Sequence, residues 1–391
     1  MNVSAHSDIT AAPGNRSWSL AAVIAAVTVF GVTIGLAGPL MSLTLEGRGV
    51  GATLNGLNAG TTFLGVILGP LLTPRGVRLF GLRNFLLICF AIDFTVFPLM
   101  RVFDSVSAWF FLRVLLGMVG SSIFTASEAW ITILAGSTRR GRVLGIYAAS
   151  LSAGLACGPV VLSLTGIDGW LPFVVSSGIT GLACVPLLAV GNGVNDVGRG
   201  RGRSPLRMFA KAPLLLLTVA MFGLYEQSLL ALLPVWGVRT GLSRTVAATG
   251  LSAIFIGAIL LQLPIGLLSD RVARLTALRT CGAIALGGAI LLAAVPLSTP
   301  ALFCLLFLWG GSAAAIYPVA LSMAGDQFQG SEMMAFNAAM IIAYGLGSLI
   351  GPTLGGLAID LGGPGGLPEL FVLLFAAFLL ATAFAPPVGR R

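Results

Sequence analysis

The sequence predicts an all-helical integral membrane protein, with twelve transmembrane helices in two pseudo-symmetric six-helix bundles. Three observations predict it. First, 57% of the 391 residues are hydrophobic and only 9% are charged, with a mean hydropathy of +1.00. Soluble domains carry about 25% charged residues. Second, the apolar residues gather into twelve runs, each near or above the length a helix needs to cross hydrocarbon. Third, the halves repeat one another. The connection after the second run reads from Gly69 to Arg78, and the one after the eighth from Gly266 to Arg274, an offset of 197. Gly154-x-x-x-Gly158-Pro159 recurs as Gly347-x-x-x-Gly351-Pro352, an offset of 193. Two matches at nearly the same offset point to an internal duplication.

In chain order, a polar tail (1–17) precedes spans at 18–43, 51–73, 84–100, 107–136, 143–166 and 171–190. The tail lacks the basic start, short apolar core and cleavage site of a secretory signal, so the first span directs insertion. Residues 191–212 are rich in Gly, Asn and Arg with no apolar period, and read as a flexible linker. Six further spans follow at 213–238, 245–268, 280–297, 300–323, 334–359 and 370–385. The domains are therefore an amino-terminal bundle (18–190), the linker, a carboxy-terminal bundle (213–386) and a short tail (387–391).

The charges set the topology. The tails, the linker and the connections near 75–83, 139–142 and 271–279 hold 17 of the 22 basic residues. The alternate connections hold only Arg48, Arg101, Arg239 and Arg244. The positive-inside rule places the basic set and both termini in the cytoplasm. The net charge of +9 is thereby a topological signal, and nucleic acid is not expected as a partner. The five cysteines lie singly in apolar runs and read as small buried hydrophobes. With one histidine, in the polar tail, no metal site is expected. No catalytic triad, cofactor motif or Walker-type loop occurs, so neither an enzyme nor direct ATP drive is expected.

The stretch Gly266-Leu-Leu-Ser-Asp270-Arg271-Val-Ala-Arg274, with the twelve spans, the six-plus-six split and the basic central connection, resembles the major facilitator superfamily of secondary transporters. The first copy of this signature departs from the pattern: Thr73-Pro74 stands where Asp-Arg is usual, while Arg75 and Arg78 remain. The stretch Pro264 to Asp270, with Ser127-Glu128-Ala-Trp130 before an Arg-Arg-Gly-Arg run, is similar to a branch of poorly characterised bacterial permeases. The resemblance implies alternating access around a site near the midplane, in the cell inner membrane. A conformational latch is expected at Gly266, Asp270, Arg271, Arg274, Arg75 and Arg78. In it Gly266 allows close helix contact and Asp270 meets a helix N-terminus or an arginine. The alternative is that these arginines are topology anchors only. The glycine-rich stretches of spans five and eleven are expected to pack helices around a proline kink.

Four ionisable residues fall well inside spans: Asp93, Arg113, Glu128 and Glu226. Charge in hydrocarbon costs at least a few kcal/mol, so each needs a partner, water or a purpose. Arg113 and Glu128 share a helix but lie roughly 22 Å apart along it, too far to pair. Asp93 and Arg113 sit at similar depth on neighbouring spans, so an Asp93–Arg113 pair is one expectation and an anion-receiving Arg113 the other. Glu128 either pairs with an arginine of the nearby basic connection or carries protons. Glu226 has no evident partner in the sequence. The resemblance implies that spans one, four, seven and ten line the cavity. That makes Glu128 and Glu226 the proton-coupling candidates and Trp130, Tyr225, Gln227, Trp309 and Tyr317 the cavity-lining ones.

The expected function is a secondary transporter of a small molecule, proton-coupled, monomeric and without a bound cofactor. A translocator of lipids or lipophilic compounds, and a non-transporting receptor or assembly factor on the same fold, are the alternatives.

Overall fold

In a computed structural model, residues 13–190 and 206–384 are described, and all regular structure there is helical. Ten stretches are long and apolar enough to span a membrane. Two of them hold two spans each. Ala52–Val102 breaks at Gly81, whose φ of 77° and ψ of 161° suit only glycine. The other divides at Gly363–Gly365, between Gly330–Gly362 and Gly366–Ala383. Divided there, the stretches make up the twelve predicted spans. Apolar side chains such as Leu79, Phe111, Leu164 and Leu361 are more than three-quarters exposed, as a lipid-facing surface requires.

The end of the expected flexible linker, Leu206–Lys211, is helical, and two span boundaries also differ from the sequence expectation. The connection expected from Gly69 to Arg78 is helical, and the chain turns only at Gly81. Pro74 lies inside the helix without ending it. The basic stretch 137–142 is likewise assigned to one helix, Val106–Thr165, with no intervening turn. Arginine is a good helix former, and no proline stands there to stop the helix.

The duplication reappears in the packing. A Cβ at Gly154 would collide with the Thr28 carbonyl, and one at Gly158 with Gly35, so span five lies on span one. A Cβ at Gly347 would collide with Ala220, and one at Gly351 with Leu224, so span eleven lies on span seven in the same way. Gly65 and Gly117 bring spans two and four together, as Gly257 and Gly311 do for spans eight and ten. The glycine motifs thus act as contact surfaces, as expected. Buried clusters fill each half. Phe30 meets Phe90 edge-on in the first, and Tyr225, Trp309, Phe371 and Phe375 interlock in the second.

The halves meet tightly at one end, the distal face, opposite the chain termini. Gly56 and Gly60 pack against Pro352 and Leu349 of the other half, and Gly356 against Ala52. Ser252 donates a 2.8 Å hydrogen bond to the Ala156 carbonyl, joining spans eight and five. Polar clasps surround these contacts. Arg239 donates to both oxygens of Glu46, at 2.7 and 3.1 Å. Arg244 pairs with Asp168 at 3.3 Å. Asp360 accepts from the backbone N–H groups of Ala52 and Thr53, at 3.1 and 2.8 Å, and from the Thr53 hydroxyl at 2.7 Å. Gly51 at the start of that helix has no side chain to cap it, so an aspartate of the opposite half supplies the cap. Among the described residues, every ion pair that joins the halves lies at this face. Those near the other face, Lys211–Glu332 and Arg274–Asp326, stay within one half.

Candidate functional site

Span seven, Pro213–Arg239, carries Glu226 near its middle. The Tyr344 hydroxyl, from span eleven, donates to Glu226 Oε2 at 2.6 Å, and Gln227 Nε2 donates to that hydroxyl at 2.9 Å. The partner that the sequence did not reveal is therefore a tyrosine 118 residues away. Gly223 sets this geometry, because its missing side chain lets Tyr344 settle against span seven. Phe222, Tyr317, Tyr344 and Phe63 then form a wall of rings with centroids 5.8 to 6.4 Å apart, Phe63 coming from the amino-terminal half.

Tyr317 stands where span ten is broken. That span is assigned as Thr299–Ala314 and Ile316–Gln327, with Ala315 between. Pro318 explains the break, since its ring clashes with the carbonyl four residues back and it has no N–H to give. Tyr317 packs its ring on Tyr344, 6.2 Å between centroids, and so shares that tyrosine with Glu226. Glu128 is exposed and makes no ion pair among the described side chains, which do not include those of Arg139, Arg140 and Arg142. Glu226 thus lies beside a broken helix in the cleft between the halves, where Phe63 of the amino-terminal half meets Tyr344.

Several expected site residues lie elsewhere. Trp130 is 2% exposed, within the amino-terminal core. Tyr225 packs edge-on against Phe375 at 4.9 Å, and Trp309 donates its Nε1–H to the Ala285 carbonyl at 2.8 Å. These three are core residues and do not line the cavity: each side chain points from its span into its own bundle. Gln227 and Tyr317 are half-buried and gather around Tyr344.

The Asp93–Arg113 pair is not formed. Asp93 is buried and accepts from Thr180 at 3.0 Å, with Thr33 beyond it. Arg113 faces span two, where its Nε donates to Asn58 Oδ1 at 3.0 Å. Equal depth did not bring them together, because depth leaves open which side of its helix each residue occupies.

The signature region is only partly as expected. An added Cβ at Gly266 would meet nothing within 4 Å, so no close approach there requires a glycine. Arg274 pairs with Asp326 of span ten, and Arg75, Arg78 and Arg271 are exposed. The Asp270 side chain lies outside the described residues. A pocket of about 310 Å³ near Trp236, Leu292 and Pro368 has no ionisable lining and is separate from the cleft.

The chain matches the family model of the Major Facilitator Superfamily over residues 21–260 and again over 215–389. It is 28% identical to the uncharacterised MFS-type transporter YfkF of Bacillus subtilis over 338 residues, covering 84% of this chain and 86% of the relative. It is also 28% identical to the MFS-type transporter YcaD of Escherichia coli over 306 residues, 76% of this chain and 78% of that one. A bacterial homologue of the human lysosomal transporter Spinster superposes with a TM-score of 0.75 at 17% identity, over 95% of this chain and 98% of that one. The nucleoside transporter NupG superposes with a TM-score of 0.75 at 14% identity, over 94% and 98%. With matches spanning nearly its whole length, the chain belongs to the Major Facilitator Superfamily, as a multi-pass membrane transporter and not an enzyme.

Proposed function

We propose that the protein moves a small molecule across the cytoplasmic membrane by alternating access, coupled to protons through Glu226 and Glu128. The observation that carries this reading is the Glu226 carboxylate held by Tyr344 beside the broken tenth span, with Glu128 an exposed carboxylate on span four of the other half. Rocking the halves changes the surroundings of both. A carboxyl group closed off from water favours its neutral form, and opening to water favours the ion. Tyr344 and Gln227 position the Glu226 carboxylate at the cleft wall. The distribution of basic residues supports termini in the cytoplasm. On that orientation the clasped distal face is external and this conformation is closed to the outside. The latch then belongs to the distal face, at Glu46, Arg239, Asp360, Asp168 and Arg244, with the signature arginines as anchors. The protein is taken to work as a monomer.

The test is a compound screen with purified protein in liposomes loaded with a pH-sensitive dye. At least one compound class should drive proton movement that protein-free liposomes lack. Substrate flux with no accompanying proton movement would refute the coupling and leave only transport.

A further inference from the structure

The seam between spans two and four holds a second polar centre, apart from the cleft. Arg113 is 5% exposed and Asn58 fully buried. Their one mutual hydrogen bond uses Arg113 Nε and Asn58 Oδ1. It leaves Arg113 Nη2, Asn58 Nδ2 and, one turn further along, Thr62 Oγ1 buried without protein partners. The carbonyl a threonine hydroxyl ordinarily reaches, four residues back, is that of Asn58. Thr61 already bonds to it at 2.7 Å.

Among the described residues no carboxylate pairs with this arginine. Among the described acids of the same half, Glu46 holds Arg239, Asp104 holds Arg48, Asp168 holds Arg244, Asp93 accepts from Thr180, and Glu128 is exposed about four turns further along span four. A buried, uncompensated guanidinium costs several kcal/mol, and each unpaired buried polar group about 1–3 kcal/mol more. Three unpartnered groups, two of them pure donors and one a cation, call for an acceptor with negative charge. The seam also limits size. A Cβ at Gly117 would collide with the Thr62 carbonyl and one at Gly65 with Val114 and Met118, so the helices touch just beside these groups.

We propose that spans two and four bind one small monovalent anion, of chloride or formate size, held by Arg113 Nη2, Asn58 Nδ2 and Thr62 Oγ1. The anion offsets the Arg113 charge and ties the two helices together, outside the path between Glu128 and Glu226. Water satisfies the site less well, since it brings two hydrogens of its own and no charge.

Purified full-length protein in detergent is melted in sodium chloride, bromide, formate or gluconate at equal ionic strength. A ligand of the folded state raises the midpoint with its concentration. At least one of the three small anions should raise it saturably over gluconate, by about 2 °C or more. Thr62→Val removes only an unpartnered hydroxyl, so it should fold and lose most of the rise. Asn58→Leu should lose it as well. Equal midpoints in all four salts, or an undiminished rise in both variants, would overturn the proposal.

Discussion

Asp360→Ala removes the clasp in which one half caps a helix of the other. In the closed distal face, Asp360 accepts two backbone N–H bonds and one hydroxyl bond from the start of span two, and it pairs with Arg239 at 3.4 Å. Loss of an N-cap side chain costs about 1 kcal/mol, within a range of about 0.5–2. The Asp360 and Arg239 side chains are 31% and 27% exposed. Screening by solvent therefore holds their ion pair to about 0.5 kcal/mol. When the face opens, water replaces these bonds, so the loss of about 1.5 kcal/mol falls on the closed state alone. That is roughly a tenfold rise in the ratio of open to closed molecules. Asp360→Asn keeps an acceptor and should give a smaller shift. The assay is spin-label distance measurement between cysteines at Val102 and Val295, both exposed near the distal face on opposite halves, in a background without the five native cysteines. Wild-type protein should show mainly a short distance, and Asp360→Ala a clearly larger long-distance fraction. Unchanged distributions in both Asp360→Ala and Arg239→Gln would refute the assignment of these residues as the distal latch.

Three further outcomes follow from the same contacts. Tyr344→Phe deletes the hydroxyl that holds Glu226, a bond to a charged group worth about 1.5–3 kcal/mol. Gradient-driven uptake should fall about tenfold or more while counterflow exchange persists, and equal uptake by both proteins would remove Tyr344 from the mechanism. Gly154→Leu drives a side chain into the Thr28 carbonyl and should destabilise the protein by about 1–3 kcal/mol in a detergent melt. Gly145→Leu meets open space and should melt at or above the wild-type temperature. Single cysteines at Ala273 and Ser298, at opposite ends of span nine, should react with an impermeant thiol reagent only at Ser298 in intact cells. Labelling of Ala273 instead would invert the topology.

The spans and their duplication were legible because both rest on composition and glycine spacing, which survive translation into contacts almost unchanged. Gly154, Gly158, Gly347 and Gly351 do what their spacing implies. Glu128 and Glu226 were legible as rare charges in apolar runs. What the sequence did not contain was direction around a helix axis. Trp130, Tyr225 and Trp309 sit on the right spans but point into the bundles, and Asp93 and Arg113 sit at one depth on different faces. Partners more than a hundred residues apart, such as Tyr344 for Glu226 and Asp360 for Thr53, leave no local pattern. Tyr344 had one available signal, its place one turn before the Gly347 motif. Asp360 had one too, as an acid at the end of an apolar span in a chain with few acids.

The most direct test of proton coupling is the Glu128→Gln/Glu226→Gln double variant in liposomes, with the compound class found in the screen. Each amide mimics a permanently protonated carboxyl, so neither can carry a proton across. Counterflow exchange should continue, and accumulation driven by a pH gradient should be lost. Accumulation at the wild-type level in the double variant would contradict the account.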